Sequence, residues 1–300
     1  MISVVRLIKI ILQNNIKIVH SQGPASLDLI MSISALFTKT KSIITRPVML
    51  SDQNHINILK RKIYEFIDKN LTLKIVDKII CVSNDGLARM SSEYAVPFSK
   101  LKLIYNGVDS EKIKPQLNQG NIFNIAMIGQ LFKPKGWYDF IDSIHILSKI
   151  TDKKFKAFII GDGEMKQELI EYVSDKGLSD IISFEGYVDD INNLLKKIDL
   201  ILFTTHREGF SVAILEAMSA GIPQIVTNVG GSKEQIIHGL NGYIVEVGQI
   251  KLMAELCKKL MNSPDLLKKF GSESRKMVIS KFSEKKMFDD HILIYSSLKF

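Results

Sequence analysis

At 300 residues, with 46% hydrophobic and 24% charged side chains, the chain has a globular composition and enough length for two domains. Two cysteines in separate apolar contexts, Cys81 and Cys257, argue against a zinc or disulfide framework, and no apolar run reaches the roughly 18 residues of a membrane span. The formal net charge of +8 lies wholly in residues 1–105, which carry 15 Lys or Arg and 7 Asp or Glu, whereas residues 106–300 carry 25 of each sign.

The first third of the chain alternates short apolar strands with helices. Its predicted elements are helix 1–12, strand 16–19, helix 25–37, strand 42–45, helix 56–76 and strands 78–82 and 101–105. Arg46 and Pro47 are predicted to lie in a loop. Such alternation indicates a parallel sheet wound with crossover helices. We therefore expect a small Rossmann-like domain over residues 1–106.

Basic charge in this domain suggests an anionic partner, either a phospholipid surface or a nucleic acid. Lys60, Arg61, Lys62, Lys69 and Lys74 punctuate an apolar series in the manner of an interfacial helix. We favour peripheral contact with an anionic membrane over nucleic acid. A solvated basic helix face explains the same pattern and stays open.

A turn-rich linker over residues 106–120 precedes a second run of strands and helices. Strands are predicted at 122–128, 156–160, 181–184, 200–203, 224–227 and 243–245, and helices at 136–150, 164–176, 191–197, 211–220 and 232–238. A helical tail follows from residue 250, broken near Pro264, Gly271 and Phe282. We expect a second Rossmann-like domain over residues 107–283, and a last helix, 284–300, that packs across both domains.

The strand that ends at Phe203 leads into a short loop and then a helix that starts near Ser211. A helix that begins at the carboxyl end of a parallel strand points free N–H groups at an anion. Glu208 and Glu216 frame this anion site, and carboxylates suit sugar hydroxyls better than they suit phosphate. The combination predicts a nucleotide sugar as the ligand.

Other strand ends add candidates. Gly129 begins a glycine and lysine loop in which Lys135, or secondarily Lys133, can neutralise a diphosphate, although an ordinary exposed loop has the same composition. Gly163 lies in a Gly-x-Gly turn, which is weak evidence alone. Val188 lies in a turn that either faces a base or caps a helix.

Two basic side chains, Arg207 and His20, are further candidate site residues. Arg207, beside His206, reaches either phosphate or acceptor, or else is simply solvated. His20, at the end of the first strand, acts as an acid, a base or an orienting group, or is structural. No spacing of ligands predicts a bound metal.

Residues 208–227, followed by Gly230, Gly231 and Glu234, resemble the E-x7-E signature of family 4 glycosyltransferases, which have the GT-B fold. Supporting matches are the segments 106–109, 129–136, 161–163 and 186–188. The resemblance implies an α/β protein of two Rossmann-like domains and retaining transfer of a sugar from a nucleotide donor to an acceptor. It also implies no bound metal and no cofactor besides the donor substrate.

The resemblance assigns roles by position. Glu208 would hold sugar hydroxyls, Glu216 the ribose hydroxyls and Lys135 the diphosphate. The remaining donor contacts would be the backbone of Gly209, Phe210 and Ser211, with Gly163 and Val188 near the base. The family usually has Arg where this chain has Gln130, so Lys133 or Arg207 would have to substitute.

Family members also place a strand, a glycine-rich loop and further units before the segment that matches Ile18–Ser21, so the first domain resembles a truncated one. We expect a hexosyltransferase that builds a polysaccharide on a lipid-linked precursor in the cytoplasm, at the inner face of the membrane. Two alternatives stay open. One is an inactive or partner-dependent remnant that binds nucleotide sugar, and the other is a nucleotide-sugar epimerase.

Overall fold

The computed structural model describes residues 3–47, 57–115, 120 and 122–298. The chain divides into two compact units, one formed by residues 1–106 and 287–300 and the other by residues 107–286. Part of the predicted linker, residues 116–119, lies outside the described residues. Among the helices in these ranges, none combines the length and apolar character needed to cross a bilayer.

The first unit is built on a four-stranded parallel sheet in the order β1-β2-β3-β4. Its strands are β1 Ile18–Ser21, β2 Lys41–Arg46, β3 Lys78–Cys81 and β4 Leu101–Leu103. The helices between them are α1 Val4–Gln13, α2 Ala25–Thr38, α3 Ile58–Ile67, α4 Leu73–Ile75 and α5 Asn84–Ser92. The central strands β2 and β3 are buried after their first residue, as expected for strands of a parallel sheet that is covered on both faces.

The last helix, α13 Glu284–Ser297, belongs to the first unit from Met287 on. Its Ile294, together with Leu298, packs with Ile43 of β2 and Ile80 of β3. The second half of α13 therefore covers one face of the first unit's sheet.

The helix predicted over residues 56–76 is interrupted in the structure, and Ile56 itself lies outside the described residues. A single π-helical turn, Asp68–Thr72, separates α3 from α4. Both Asp68 and Thr72 are buried, and Asp68 bonds to Arg46. Arg46 is itself the last residue of β2 and not a loop residue, because its guanidinium is held inside the unit by two aspartates.

The second unit is built on a six-stranded parallel sheet in the order β10-β9-β8-β5-β6-β7. Its strands are β5 Phe123–Ile128, β6 Phe155–Ile160, β7 Ile182–Gly186, β8 Leu200–Phe203, β9 Gln224–Thr227 and β10 Gly242–Val245. Its helices are α6 Trp137–Ile150, α7 Lys166–Asp175, α8 Ile191–Leu195, α9 Val212–Ser219, α10 Ser232–Gln235, α11 Ile250–Met261 and α12 Pro264–Lys281. Trp137, Phe140 and Phe270 are fully buried at the centre of its largest core cluster.

The predicted break at Gly271 is wrong, because α12 continues through it. A Cβ at this position would lie 2.0 Å from the carbonyl oxygen of Gly221. Glycine is therefore used here to let the helix approach the turn before β9, and it does not end the helix.

Candidate active site

The second unit contains a switch point between β5 and β8. From the central strand β5 the chain adds β6 and β7 on one side, then crosses to β8 on the other. In open parallel sheets ligands bind outside the carboxyl ends of the strands at such a point. The loops that follow β5 and β8 are the two that meet here.

Hydrogen bonds to two main-chain carbonyls hold these two loops together. The His206 N–H donates to the Pro134 carbonyl at 2.8 Å, and the Thr204 hydroxyl donates to the Gly136 carbonyl at 2.7 Å. Gly136 has φ of 72°, and a Cβ there would lie 2.0 Å from the Thr204 oxygen. Only glycine fits both this conformation and this close approach.

Lys135 and Glu208 are brought into direct contact by this arrangement. Lys135 ends a 3-10 turn, Lys133–Lys135, and its Nζ lies 2.7 Å from Glu208 Oε2. The Glu208 Oε1 accepts from the Gly209 N–H at 3.2 Å. Both side chains are mostly buried, at 22% and 15% exposure, so solvent screens this pair less than a surface pair. The site thus offers one cation and one carboxylate at the same place.

Helix α9 begins beside this pair. The Ser211 hydroxyl caps it by accepting from the Ile214 N–H at 3.4 Å. Phe210 is buried, with its ring 5.4 Å from that of Phe282. Helix α9 therefore starts from a well-anchored segment, with its positive dipole end toward the switch point.

The Ser211 backbone, which is predicted to bind the donor, has protein partners in this structure. Its N–H donates to Gln235 Oε1 at 3.3 Å, and Gln235 Nε2 donates back to the Ser211 carbonyl at 2.7 Å. The Gly209 N–H is likewise engaged by Glu208. In this arrangement both groups have protein acceptors, so a phosphate would have to replace them. The sequence does not predict a role for Gln235, because its partner Ser211 is 24 residues away and no local pattern marks the pair.

Glu216 lies on α9, just over one turn from the start of the helix at Val212. Its side chain is half-buried, and within the described ranges no group hydrogen-bonds to its carboxylate. Burial raises the pKa of the Glu216 carboxyl. A half-buried carboxylate with free lone pairs suits a ligand that brings hydroxyl donors.

The loops after β6 and β7 extend the same edge of the sheet. The Gly129 N–H donates to Ile160, and the Gly161 N–H donates to Gly186 at 2.8 Å. These bonds align the ends of β5, β6 and β7, so Gly129 and Gly163 lie in neighbouring loops. Val188 is half-buried just beyond β7, at the outer edge of the sheet.

Two other predicted cations are more exposed than Lys135. Lys133 and Arg207 are exposed on the same two loops as Lys135 and Glu208. His206 lies 2.7 Å, through Nε2, from Asp139 Oδ2 in the first turn of α6. Asp139 was missed in the sequence, where an acid in a first helical turn reads simply as a dipole partner.

His20 lies in the first unit, where both of its ring nitrogens are engaged. Nδ1 is 2.7 Å from the Tyr295 hydroxyl, and Nε2 is 2.7 Å from the Thr45 hydroxyl. Burial, and then repulsion by His291, lowers the pKa of His20 to about 4. The ring is therefore neutral near pH 7, which supports the structural alternative for this histidine.

In the ranges that the structure describes, no three His, Cys, Asp or Glu side chains cluster closely enough to hold a metal ion.

Comparison of the sequence with protein families gives two matches. Residues 109–277 match the family described as glycosyl transferases group 1, and residues 1–112 match glycosyltransferase family 4. The first match alone spans more than half of the chain. The chain belongs to the group 1 glycosyl transferases. The family resemblance carried by the E-x7-E segment is thereby confirmed.

Two relatives of this group 1 member illustrate the family. This chain is 31% identical, over 209 residues, to the UDP-Gal:alpha-D-GlcNAc-diphosphoundecaprenol alpha-1,3-galactosyltransferase of Escherichia coli. The matched region is 64% of this chain and 54% of that protein. It is also 31% identical, over 245 residues, to the capsular polysaccharide biosynthesis glycosyltransferase CapM of Staphylococcus aureus. That matched region is 77% of this chain and 60% of CapM. The chain therefore spans little more than half the length of these relatives.

Solved structures agree on the fold. The crystal structure of Anabaena Alr3699/HepE in complex with UDP has a TM-score of 0.87 with this group 1 member at 18% identity, covering 98% of this chain and 82% of that chain. This likeness and the two parallel sheets confirm the expected GT-B class of two Rossmann-like domains.

Proposed function

We propose that this group 1 glycosyl transferase is a retaining enzyme that moves a sugar from a nucleotide donor to a lipid-linked or saccharide precursor of a polysaccharide. The observation that carries the proposal is the Lys135–Glu208 contact at the switch point, beside the start of α9. The named activities of the E. coli and S. aureus relatives support it, as does the UDP complex of HepE.

The chemistry follows from these groups. Transfer breaks the bond between the anomeric carbon and the diphosphate oxygen and forms a bond from that carbon to an acceptor hydroxyl oxygen, and the diphosphate leaves with the proton that the hydroxyl loses. Negative charge therefore develops on a phosphate oxygen as the first bond breaks. The Lys135 ammonium and the positive end of α9 stabilise that charge, with Lys133 and Arg207 adding positive potential on the same loops. We assign the sugar hydroxyls to Glu208 and the ribose hydroxyls to Glu216. The base lies toward Gly163 and Val188, with Gly129 behind the diphosphate.

His20 receives no proton-transfer step in this proposal. Its ring is neutral near pH 7, and both nitrogens already bond to hydroxyls. The geometry supports a role in anchoring α13 to β1 and β2, through Tyr295 and Thr45.

Replacement of Glu216 by alanine tests the donor site. We expect the KM for the nucleotide sugar to rise by about ten- to a hundredfold, because the ribose hydroxyls lose the half-buried carboxylate that accepts their hydrogen bonds. Release of nucleoside diphosphate from a panel of nucleotide sugars, with a polyprenyl-diphosphate sugar as acceptor, gives the rate. Glu171→Ala, on the outer face of α7, is the matched control.

The same assay separates the alternatives. A Glu216→Ala variant as active as the parent would refute the site assignment. Saturable donor binding by the parent without transfer would select a binding remnant. An epimeric nucleotide sugar formed without acceptor would select an epimerase, whose substrate needs no acceptor.

We further propose that the first unit contacts an anionic membrane at its cytoplasmic face. Helix α3 has no buried residue, and Leu59 and Phe66 are each 69% exposed on the same stripe as Ile63. Lys60 and Lys62 flank this stripe. An exposed apolar stripe with basic flanks suits the boundary between headgroups and acyl chains.

The double variant Leu59→Ser/Phe66→Ser should bind vesicles on the order of tenfold more weakly, because two apolar side chains no longer enter the lipid. Cosedimentation with phosphatidylcholine vesicles, with and without phosphatidylglycerol, measures the loss. Ile279→Ser, which removes an exposed apolar side chain from the second unit, should change nothing. Equal binding by the double variant and the parent would contradict membrane contact through α3.

A further inference from the structure

We infer that Glu208 makes the site discriminate between the nucleotide sugar and the spent nucleoside diphosphate, by competing with the diphosphate for Lys135. This inference rests on the proposed function and concerns the same two side chains. It gives Glu208 a second role besides contact with the sugar: it weakens the binding of the product that lacks the sugar.

The geometry sets up this competition. Lys135 Nζ lies 2.7 Å from Glu208 Oε2, within the range of a strong charge-assisted hydrogen bond. The main chain of Lys135 is fixed by its N–H bond to Phe132, and the other oxygen of Glu208 is fixed by Gly209. A diphosphate that binds Lys135 must therefore share the ammonium with a carboxylate that also repels it.

A sugar changes this balance. Its hydroxyl groups donate to Glu208 and replace the ammonium, so the carboxylate is not left buried without a partner. Lys135 is then available to the diphosphate. A nucleoside diphosphate without a sugar brings no such donors, so opening the ion pair leaves Glu208 Oε2 without its charged partner, and only the Gly209 N–H still donates to the carboxylate. The product is thus bound more weakly than the donor, and its release is favoured.

Competition of this kind is specific to Glu208 among the neighbouring acids. Asp139, in the first turn of α6, bonds to His206, and Asp162, in the next loop, bonds to Lys166. Neither shares an ion pair with Lys135. Removing a negative charge elsewhere in the unit should therefore leave the Lys135–Glu208 ion pair, and with it the affinity for the diphosphate, unchanged.

Binding of nucleoside diphosphates without any acceptor tests the inference. Isothermal titration with UDP, GDP and ADP is run on the parent, Glu208→Gln, Lys135→Gln and the double variant. For the diphosphate that the parent binds, Glu208→Gln should bind about fivefold tighter and Lys135→Gln several-fold weaker. In the Lys135→Gln background the Glu208 change should gain less, about twofold at most, because no ammonium is left to release and only the repulsion between the carboxylate and the diphosphate is relieved.

Glu171→Gln is the matched charge control, since its carboxylate bonds to Gln167 on α7. Its affinity should equal that of the parent. Thermal unfolding of each variant confirms that the isosteric changes leave the fold intact. Equal or weaker diphosphate binding by Glu208→Gln would overturn the inference alone, as would the same gain in both backgrounds. Failure of the parent to bind any of the three diphosphates would overturn the proposed function and the inference with it.

Discussion

Replacing Lys135 with alanine should lower kcat/KM for sugar transfer by about 10²- to 10³-fold, with the fold intact. The loss is large because a preorganised cation in a mostly buried site stabilises charge that develops only as the diphosphate leaves. Nucleoside diphosphate release at donor concentrations far below KM gives kcat/KM directly. A larger fall in kcat than rise in KM would place the effect in the transition state.

The neighbouring lysine provides the comparison for this prediction. Lys133 lies in the same 3-10 turn and carries the same charge, but its side chain is exposed, whereas Lys135 bonds to Glu208. Lys133→Ala should therefore cost much less than Lys135→Ala. A Lys133 variant that loses as much activity as the Lys135 variant would reverse the assignment of the diphosphate cation.

Replacing Arg46 with alanine should lower the free energy of unfolding of the first unit by about 3–5 kcal/mol. Arg46 Nη1 lies 2.6 Å from Asp28 Oδ2, and Nη2 lies 2.5 Å from Asp68 Oδ1. All three side chains are buried. Removing the guanidinium leaves two carboxylates without their cation in a place that water does not reach, and this is the costly outcome for a buried ion pair.

The pH dependence of this variant has a definite sign. Burial raises the pKa of Asp28, and it raises that of Asp68 to about 6, with Arg46 working against the rise in both cases. Without Arg46 these carboxyls bind protons more tightly in the folded than in the unfolded state. The stability that protonation of these carboxyls gives is fully present below their pKa in the unfolded state. It is lost as pH rises through their higher pKa in the folded state. The variant should be less destabilised at pH 5 than at pH 8.

Urea unfolding, monitored by circular dichroism at pH 5 and at pH 8, measures the free energy of unfolding of the variant and of the parent. Arg89→Ala is the control, because Arg89 makes a more exposed pair with Glu93 one turn along α5 and should cost less than about 1 kcal/mol. Similar losses for Arg46→Ala and Arg89→Ala would show that the buried cluster contributes no more than a surface pair.

The second unit could be predicted well from the sequence, because its strands are short apolar runs and its site residues directly follow them. The sequence predicts that Lys135 and Glu208 lie close together, since strand-to-helix junctions share one edge of a parallel sheet, and the structure brings the two side chains into contact. Gln235 and Asp139 were not identified. Their partners, Ser211 and His206, are distant in sequence, and no local pattern marks such pairs.

The first unit was harder to predict for the same physical reason. The π-helical turn at Asp68–Thr72 exists because Asp68 turns inward to Arg46, and that contact depends on two segments far apart in the chain. The sequence around Asp68 shows only a basic, amphipathic helix. Similarly, His20 looked available at a strand end, and only the structure shows that Thr45 and Tyr295 occupy both nitrogens.

The interlocked loops that carry Lys135 and Glu208 limit how such a site can diversify. The two residues are 73 positions apart, yet their loops share bonds to the carbonyls of Pro134 and Gly136. An insertion or deletion in either loop would displace both charged groups at once. Exposed side chains on the rim, such as Gln130 and Lys133, can be exchanged without disturbing these bonds. A change in preference for the nucleotide-sugar donor is therefore expected to arise by point substitution at the rim. The backbone conformations of the two loops are expected to change only together.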